Sequence, residues 1–271
     1  MIINKEWRVL TVGDGDLSFS ASLLTHHQPA NLTASVLDTS ATLLAKYAHN
    51  DYQTLLNKHC TVLCEFDVMD PNSWAQLNKH SFDLIIFQFP LIPAFKSHQE
   101  FKEKCKEVHI NTLNRQLLRA FLIHSFEHFL DPKGARLCYI TSKDVKPYKE
   151  WNIEHALNMN TDIEYLVWQK FDITAFPGYK VRNVDRDKHV KDTKGIIYAW
   201  SDNKQHPLKQ QLNEALYQGE EYCSLCATGP YNNEQDKLKH NTTRKHLNMI
   251  NYERMWQLLL DKENTNKNLR S

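Results

Sequence analysis

Apolar residues fall along this chain in short runs, and each run is followed by a stretch with helical spacing. Trp7 to Val12, "WRVLTV", reads as a buried strand that enters a polar turn, Gly13-Asp14-Gly15-Asp16. Leu17, Ala21 and Leu24 then recur near helical spacing in a segment ending at His27. Asn31–Leu37 is a second strand closed by Asp38, and Ser40 is placed to cap a helix reaching His49. Thr61–Phe66 is a third strand, closed by Asp67, with a short helix after Pro71. Phe82–Phe87, "FDLIIF", is nearly continuous in apolar residues, as a parallel strand covered on both faces requires. Periodicity is weak from Phe95 to Glu107, and no element is assigned there. Val108–Leu130 is a long helical pattern ended by Asp131-Pro132-Lys133-Gly134.

Ala135–Ile140 is strand five, and Pro147–Asn158 a helix with proline in its first turn, where the missing N–H costs nothing. Two late strands, Ile163–Lys170 and Gly195–Trp200, lack a full helix between them, which suits an antiparallel hairpin at the sheet edge. Alternating strands and helices predict an α/β three-layer sandwich around a mostly parallel sheet. The expected division is a main domain over 1–203, a linker helix over 204–220, a small module over 221–250, and a helix with a fraying polar tail over 251–271.

Composition narrows the class. A chain of 271 residues suffices for one large α/β domain and a small module. It has no 18-residue apolar run, so no transmembrane helix is expected. Its start lacks a signal-peptide layout, which points to an intracellular protein, cytoplasmic or, in a eukaryote, nucleolar. The six cysteines are then expected as thiols or metal ligands. A net charge of +1 excludes a strongly polybasic protein and leaves room for a local basic face.

The first strand runs into two glycines, which permit a sharp turn and close approach of a ligand to the backbone. The next helix is expected to aim its N-terminus at the same place, and in an open α/β sheet this is a ligand site. Asp38 follows Gly15 by 23 residues, close to the spacing of an acid that accepts from ribose hydroxyls. Ser18 stands where a third glycine would complete a dinucleotide fingerprint, and Asp14 and Asp16 would repel a pyrophosphate. S-adenosylmethionine (SAM) has no phosphate and carries a sulfonium cation, so an acidic loop suits it better. Asp67, at the next strand end, falls beside the expected adenine. The plainer alternative is a turn without a ligand.

The stretches "LTVGDGDLSFSASL", "NLTASVLDT", "FDLIIFQFP", "NTLNRQLLRAF", "KPYKEWNIEHAL" and "FPGYKVR" together resemble the ribosomal-RNA uridine-N3 methyltransferase-like family over roughly residues 7 to 200. The resemblance implies a Rossmann-like class I methyltransferase fold, SAM as cofactor, and methylation of a uridine ring nitrogen in ribosomal RNA. It carries Gly13, Asp14, Gly15 and Asp16 onto the first cofactor motif, Asp38 and Asp67 onto the strand-end acids, and Gln88, Phe89 and Pro90 onto the strand-four motif. Here the chain departs from the family's Asn-Phe-Pro-His. Gln88 keeps an amide on a longer arm, and Leu91 replaces an imidazole.

Methyl transfer requires an aligned nucleophile and a dry pocket. Asp16, Gln88, Phe89 and Pro90 are the candidate catalytic set, with Phe89 able to stack on a base. Lys143, Tyr179 and Arg182 lie past the strand ends and are candidate RNA contacts, together with Tyr148 and Trp151; Trp151 equally suits the core.

Cys223, Cys226, His240 and His246 form C-x2-C-x13-H-x5-H, which can surround one structural zinc ion with thiolates from a knuckle and imidazoles from a following helix. The stretch resembles finger modules of RNA-processing proteins. Tyr222, Leu225, Tyr231 and Leu238 are its expected apolar core. Lys239, Arg244 and Lys245, beside Lys237, favour phosphate contact, and a protein contact or a purely structural role also fits. Two other readings stay open: a non-catalytic SAM-fold protein that binds RNA, and a methyltransferase for a protein or small molecule.

Overall fold

A computed structural model describes residues 1–143, 145–183, 186–189, 195–211 and 217–268. The chain opens with β1 (Arg8–Val12), α1 (Ser18–Ser22, continued by a π-helical turn over Leu23–His27) and β2 (Asn31–Ser35). Then come α2 (Ser40–Lys46), α3 (Tyr52–Asn57), β3 (Thr61–Leu63), α4 (Pro71–Trp74) and β4 (Leu84–Gln88). The middle holds α5 (His98–Lys104), α6 (Ile110–His124, continued by a π-helical turn to Phe129), β5 (Leu137–Lys143), α7 (Ile153–Ala156) and β6 (Glu164–Phe171). A two-stranded ribbon, β7 (Arg182–Asn183) and β8 (Arg186–His189), precedes β9 (Gly195–Ser201), and α8 (Glu234–Asn241) and α9 (Arg244–Asn268) end the chain.

The main sheet has the order β3-β2-β1-β4-β5-β9-β6. β9 alone is antiparallel to its neighbours, inserted between β5 and β6. This is the expected late hairpin. Successive side chains alternate between faces, so Val9, Leu84, Ile86, Leu137 and Tyr139 join one core cluster. Leu10, Val12, Ile85, Phe87, Cys138 and Ile140 join the other. Both faces being covered explains the unbroken apolar run of β4. The direction of chain progression reverses between β1 and β4, which puts the natural crevice at their C-terminal ends.

Several local expectations change. Thr39, not Ser40, caps α2, its hydroxyl accepting from Thr42 N at 3.0 Å. The helix expected to reach His49 ends at Lys46, and α3 is an additional helix. The weakly periodic segment after Phe95 holds α5, none of whose residues is buried, so no apolar face marks it. Pro147–Asn158 is not one helix: a 3₁₀ turn over Tyr148–Trp151 meets α7 at Asn152, which has φ +47°. Trp151 and Ile153 are both buried, and residues two apart lie on different sides of a continuous helix.

Only part of the expected linker helix is described. His206 anchors it to the Ala135 carbonyl at 3.0 Å, Pro207–Gln210 is a 3₁₀ turn with Leu208 buried, and 212–216 lie outside the described residues. The tail expected to fray from Asp261 instead continues α9 to Asn268. Trp256 and Leu260 are buried against Ala156, and the Trp256 indole donates to the Ala156 carbonyl at 2.8 Å.

Candidate functional site: a glycine-loop cavity and a Cys/His cluster

A cavity of about 470 Å³ opens where β1 and β4 diverge. Its wall includes every residue singled out for the cofactor and for catalysis: Gly13, Asp14, Gly15, Asp16, Asp38, Asp67, Gln88, Phe89 and Pro90. The glycines are needed there for two reasons. Gly13 has φ +66°, and a Cβ on it would sit 2.7 Å from the Phe87 ring; a Cβ on Gly15 would sit 2.8 Å from the Tyr47 hydroxyl.

The two acids of the loop are bonded to the start of α1. Asp14 accepts from Ser20 N at 2.7 Å, Ser20 Oγ at 2.6 Å and Phe19 N at 3.4 Å. Asp16 accepts from Ser18 N and Oγ, at 3.1 and 2.6 Å. Together they satisfy the first amides of α1, so that helix end does not present free donors to a ligand. Burial, then repulsion from Asp16, raises the Asp14 carboxyl to about 7. Asp16 also receives Arg182 Nε at 2.5 Å, and both side chains are largely buried.

The "FPGYKVR" segment is therefore stitched to the glycine loop. Phe176 and Tyr179 pack on Phe19 with ring centroids 5.0 and 5.2 Å away, Lys180 N donates to Ser18 Oγ, and the Arg182 guanidinium lies over Tyr47. Arg182 and Tyr179, read from the sequence as RNA contacts, line the same cavity. Burial, with Asp14 and Asp16 nearby, pushes the Tyr179 hydroxyl well above the ordinary tyrosine range. Lys143 is half-buried at the end of β5, its ammonium 5.3 Å from the Tyr148 ring centroid. Trp151 is wholly buried in the core.

Asp38 reaches the cavity from the end of β2, paired with Lys46 at 3.0 Å. Asp67 is exposed, and its carboxylate accepts from Met69 N at 2.8 Å, which folds the turn after β3. At the end of β4 the Gln88 side chain is buried, and neither its amide oxygen nor its amide nitrogen has a partner. Thr141, its partner in β5, carries an unpartnered buried hydroxyl. A buried amide with no bonds is costly unless something else fills its valences. The next residue, Phe89, has φ +47°, a strained value for an aromatic side chain, and its ring meets Phe171 edge-on at 5.4 Å.

Sequence reading missed the residues that hold this loop. Asn114 on α6 accepts from Ile92 N at 3.1 Å and donates to the Ile110 carbonyl, fixing the turn after the strand-four motif. Asn111, Asn114, Arg115 and Arg119 are all buried. Buried polar residues at helical spacing inside "NTLNRQLLRAF" were the available signal.

Cys223, Cys226, His240 and His246 converge, their ligand atoms all within 4.8 Å of one another. A short bridge between Cys223 and Thr228 forms the knuckle. The two histidines lie on different helices, not on one. Residues six apart point away from each other on a continuous helix. The break between α8 and α9, where Thr243 Oγ1 caps His246 N at 3.2 Å, turns both rings inward. The module's core is Cys223, Cys226 and Met249 with Leu225, Tyr231 and Tyr252; Leu238, expected inside, is 58% exposed. Lys239 and Arg244 are exposed, and Lys245 donates to the Cys226 carbonyl at 2.9 Å.

The sheet order, the crevice and the glycine loop define a Rossmann-like SAM-methyltransferase fold carrying a Cys2His2-like metal-binding cluster. The chain belongs to the rRNA (uridine-N3-)-methyltransferase BTM5-like family, whose sequence profile matches residues 10–183. Over 181 residues it is 28% identical to heavy metal-associated isoprenylated plant protein 41 of Arabidopsis thaliana, a match covering 66% of this chain and 33% of that protein. The chain thus spans about a third of that relative's length. Among solved structures it is similar to SMU.776 complexed with SAH (19% identity, 72% of this chain, 45% of that chain, TM-score 0.41). A 30S ribosomal A1408 methyltransferase from an uncultured bacterium is also similar (10% identity, 72% of this chain, 87% of that chain, TM-score 0.41). Among the described residues, no helix is long and apolar enough to cross a membrane.

Proposed function

We propose that the chain is a SAM-dependent RNA methyltransferase whose target is a uridine ring nitrogen, N3, in ribosomal RNA. One observation carries this reading: a single cavity gathers the glycine turn, two strand-end acids and Gln88, whose buried amide has no partner. Its size lies within the range of about 300–1,000 Å³ typical of small-molecule sites.

The residues present fit the cofactor. Gly13 and Gly15 let its body approach the backbone, Asp38 takes its ribose hydroxyls, and Asp67 lies on the adenine side. When bound, SAM supplies an electrophilic methyl group on a sulfonium. The pairing of Asp16 with Arg182 supports a role for that acid in holding the loop in place of taking the substrate's proton. Gln88 can both donate to and accept from the imide edge of a uracil, which presents both kinds of partner. Phe89 and Pro90 wall the opening and exclude water, which strengthens those hydrogen bonds. The longer arm of Gln88 relative to the family's asparagine, and the apolar Leu91, reshape this wall without removing the amide.

The Cys/His cluster fits one structural zinc ion. Zinc ligand distances of about 2.3 Å to sulfur and 2.0–2.1 Å to nitrogen place tetrahedral ligands roughly 3.6 Å apart. The His246 Nδ1 atom lies 3.6 Å from Cys223 Sγ and 3.5 Å from Cys226 Sγ, and the buried His240 Nε2 has no protein partner. Four protein ligands leave no open position, so this ion would have no part in methyl transfer.

The test is calorimetry with SAM and S-adenosylhomocysteine, followed by mass mapping of modified nucleosides in RNA from cells with and without the gene. Both ligands should bind the wild type, Asp38→Ala should weaken both, and one methylated uridine should disappear. A wild type that binds neither ligand would remove the enzyme reading.

A further inference from the structure

The finger is not an isolated appendage. A narrow cleft separates its knuckle, at Ser224 and Ala227, from Tyr148, Lys149 and Tyr198 of the main domain, with Tyr217 beside them. Cations and aromatic rings alternate along this seam. The Lys143 ammonium lies 5.3 Å from the Tyr148 ring centroid, and that of Lys149 lies 5.4 Å from the Tyr217 ring centroid. Across the cleft, Lys245 is tied to the knuckle through the Cys226 carbonyl and lies within electrostatic range of Lys146 and Lys149.

Two acids of the same segment, Glu150 and Glu154, are turned inward. Glu150 pairs with Lys146 at 3.1 Å and accepts from Asn111, and Glu154 accepts from the Tyr165 hydroxyl. Their side chains are 17% and 13% exposed, against 68% for Lys146, so that ammonium meets solvent far more than either acid does. The strip also begins at the sheet edge on which the cavity opens. Lys143 closes β5 two residues past Thr141, the partner of Gln88.

We infer that this seam, with Lys146 and Lys149 on one bank and Lys245 on the other, binds the single-stranded RNA flanking the target nucleotide. The main domain and finger would then hold one strand together. This rests on the RNA reading above. Interleaved rings and ammonium groups suit bases and phosphates, because every base offers a face for stacking and every phosphate a charge. An acidic protein would use the charge and leave the rings idle.

The experiment measures binding of a labelled oligouridylate by fluorescence anisotropy across a salt titration. The variants are Lys146→Ala/Lys149→Ala/Lys245→Ala, its all-arginine counterpart, and the single charge reversal Lys146→Glu. The alanine triple should bind about tenfold or more weakly, with a log–log salt slope shallower by roughly 2 for three lost single-strand phosphate contacts. Arginine should restore most of the affinity, and Lys146→Glu should weaken binding severalfold. S-adenosylhomocysteine binding should stay at wild-type levels in all three, and zinc content in Lys146→Glu, which leaves the knuckle untouched; this separates loss of the seam from loss of the fold. Lys239→Ala/Arg244→Ala, two exposed cations of the finger that do not line the cleft, should change little. Wild-type affinity and slope in the triple would overturn the inference, as would an equal loss in the outer-side pair. A wild type that binds S-adenosylhomocysteine and a polyglutamate but not RNA would also overturn it, while leaving the cofactor site intact.

Discussion

Arg115 gives a direct test of how the C-terminal helix is joined to the main domain. Its side chain is fully buried on α6, and its single ion-pair partner among the described residues is Glu253 on α9, at 2.6 Å. One further bond runs to the Glu150 carbonyl at 3.0 Å, and its Nε and Nη1 atoms make none. Glu253→Ala would leave a buried guanidinium without counter-charge. Breaking such a pair costs about 3–5 kcal/mol, because the remaining charge keeps its full desolvation penalty.

Glu253 is 27% exposed, so water can partly replace it, and the lower end, about 3 kcal/mol, is expected. For a chain of this size that corresponds to a fall in Tm of about 6–12 °C. The assay is scanning calorimetry of wild type, Glu253→Ala, Glu253→Gln and Arg115→Met/Glu253→Ala. Glutamine should fall between wild type and alanine, since it keeps an acceptor without the charge. The double variant should recover much of the loss, because it removes the stranded charge as well. A Glu253→Ala melt within about 1 °C of wild type would refute the argument, as would a double variant no better than the single.

Cys226→Ser should abolish zinc binding, read by elemental mass spectrometry, and should also lower the Tm of the whole chain, because His246 sits in the first turn of the helix that carries Glu253 and Trp256. Gly13→Ala should eliminate measurable SAM binding in calorimetry, since φ +66° and the Phe87 ring both oppose a Cβ. Asp14 gives a pH signature. Its folded pKa of about 7 stands above its ordinary value of 3.8, so the native state holds a proton that the unfolded state has released. That contribution is full below the unfolded value and is lost as pH rises toward the folded one. Asp14→Asn should therefore flatten the fall in Tm between roughly pH 4 and 7 relative to wild type. Parallel Tm–pH curves for the two proteins would count against it.

Much of the fold was legible because strand and helix periods differ and because a parallel strand covered on both faces must be apolar throughout. β1, β4 and β5, the late hairpin, the glycine loop and the Cys/His spacing all follow from neighbours in sequence. The cavity residues could be named for the same reason: each sits at the end of a strand, and strand ends of an open sheet share one edge. What local pattern cannot carry is where a side chain finds its partner. Asp16 and Arg182 are 166 residues apart, and Arg115 and Glu253 are 138 apart. No periodicity links them. Their pairing puts Arg182 in the wall of the same cavity as the glycine loop, and it ties the expected C-terminal helix to α6. The break between α8 and α9 was likewise decided by tertiary geometry, since four ligand atoms can surround one ion only if the two histidines leave a common helix.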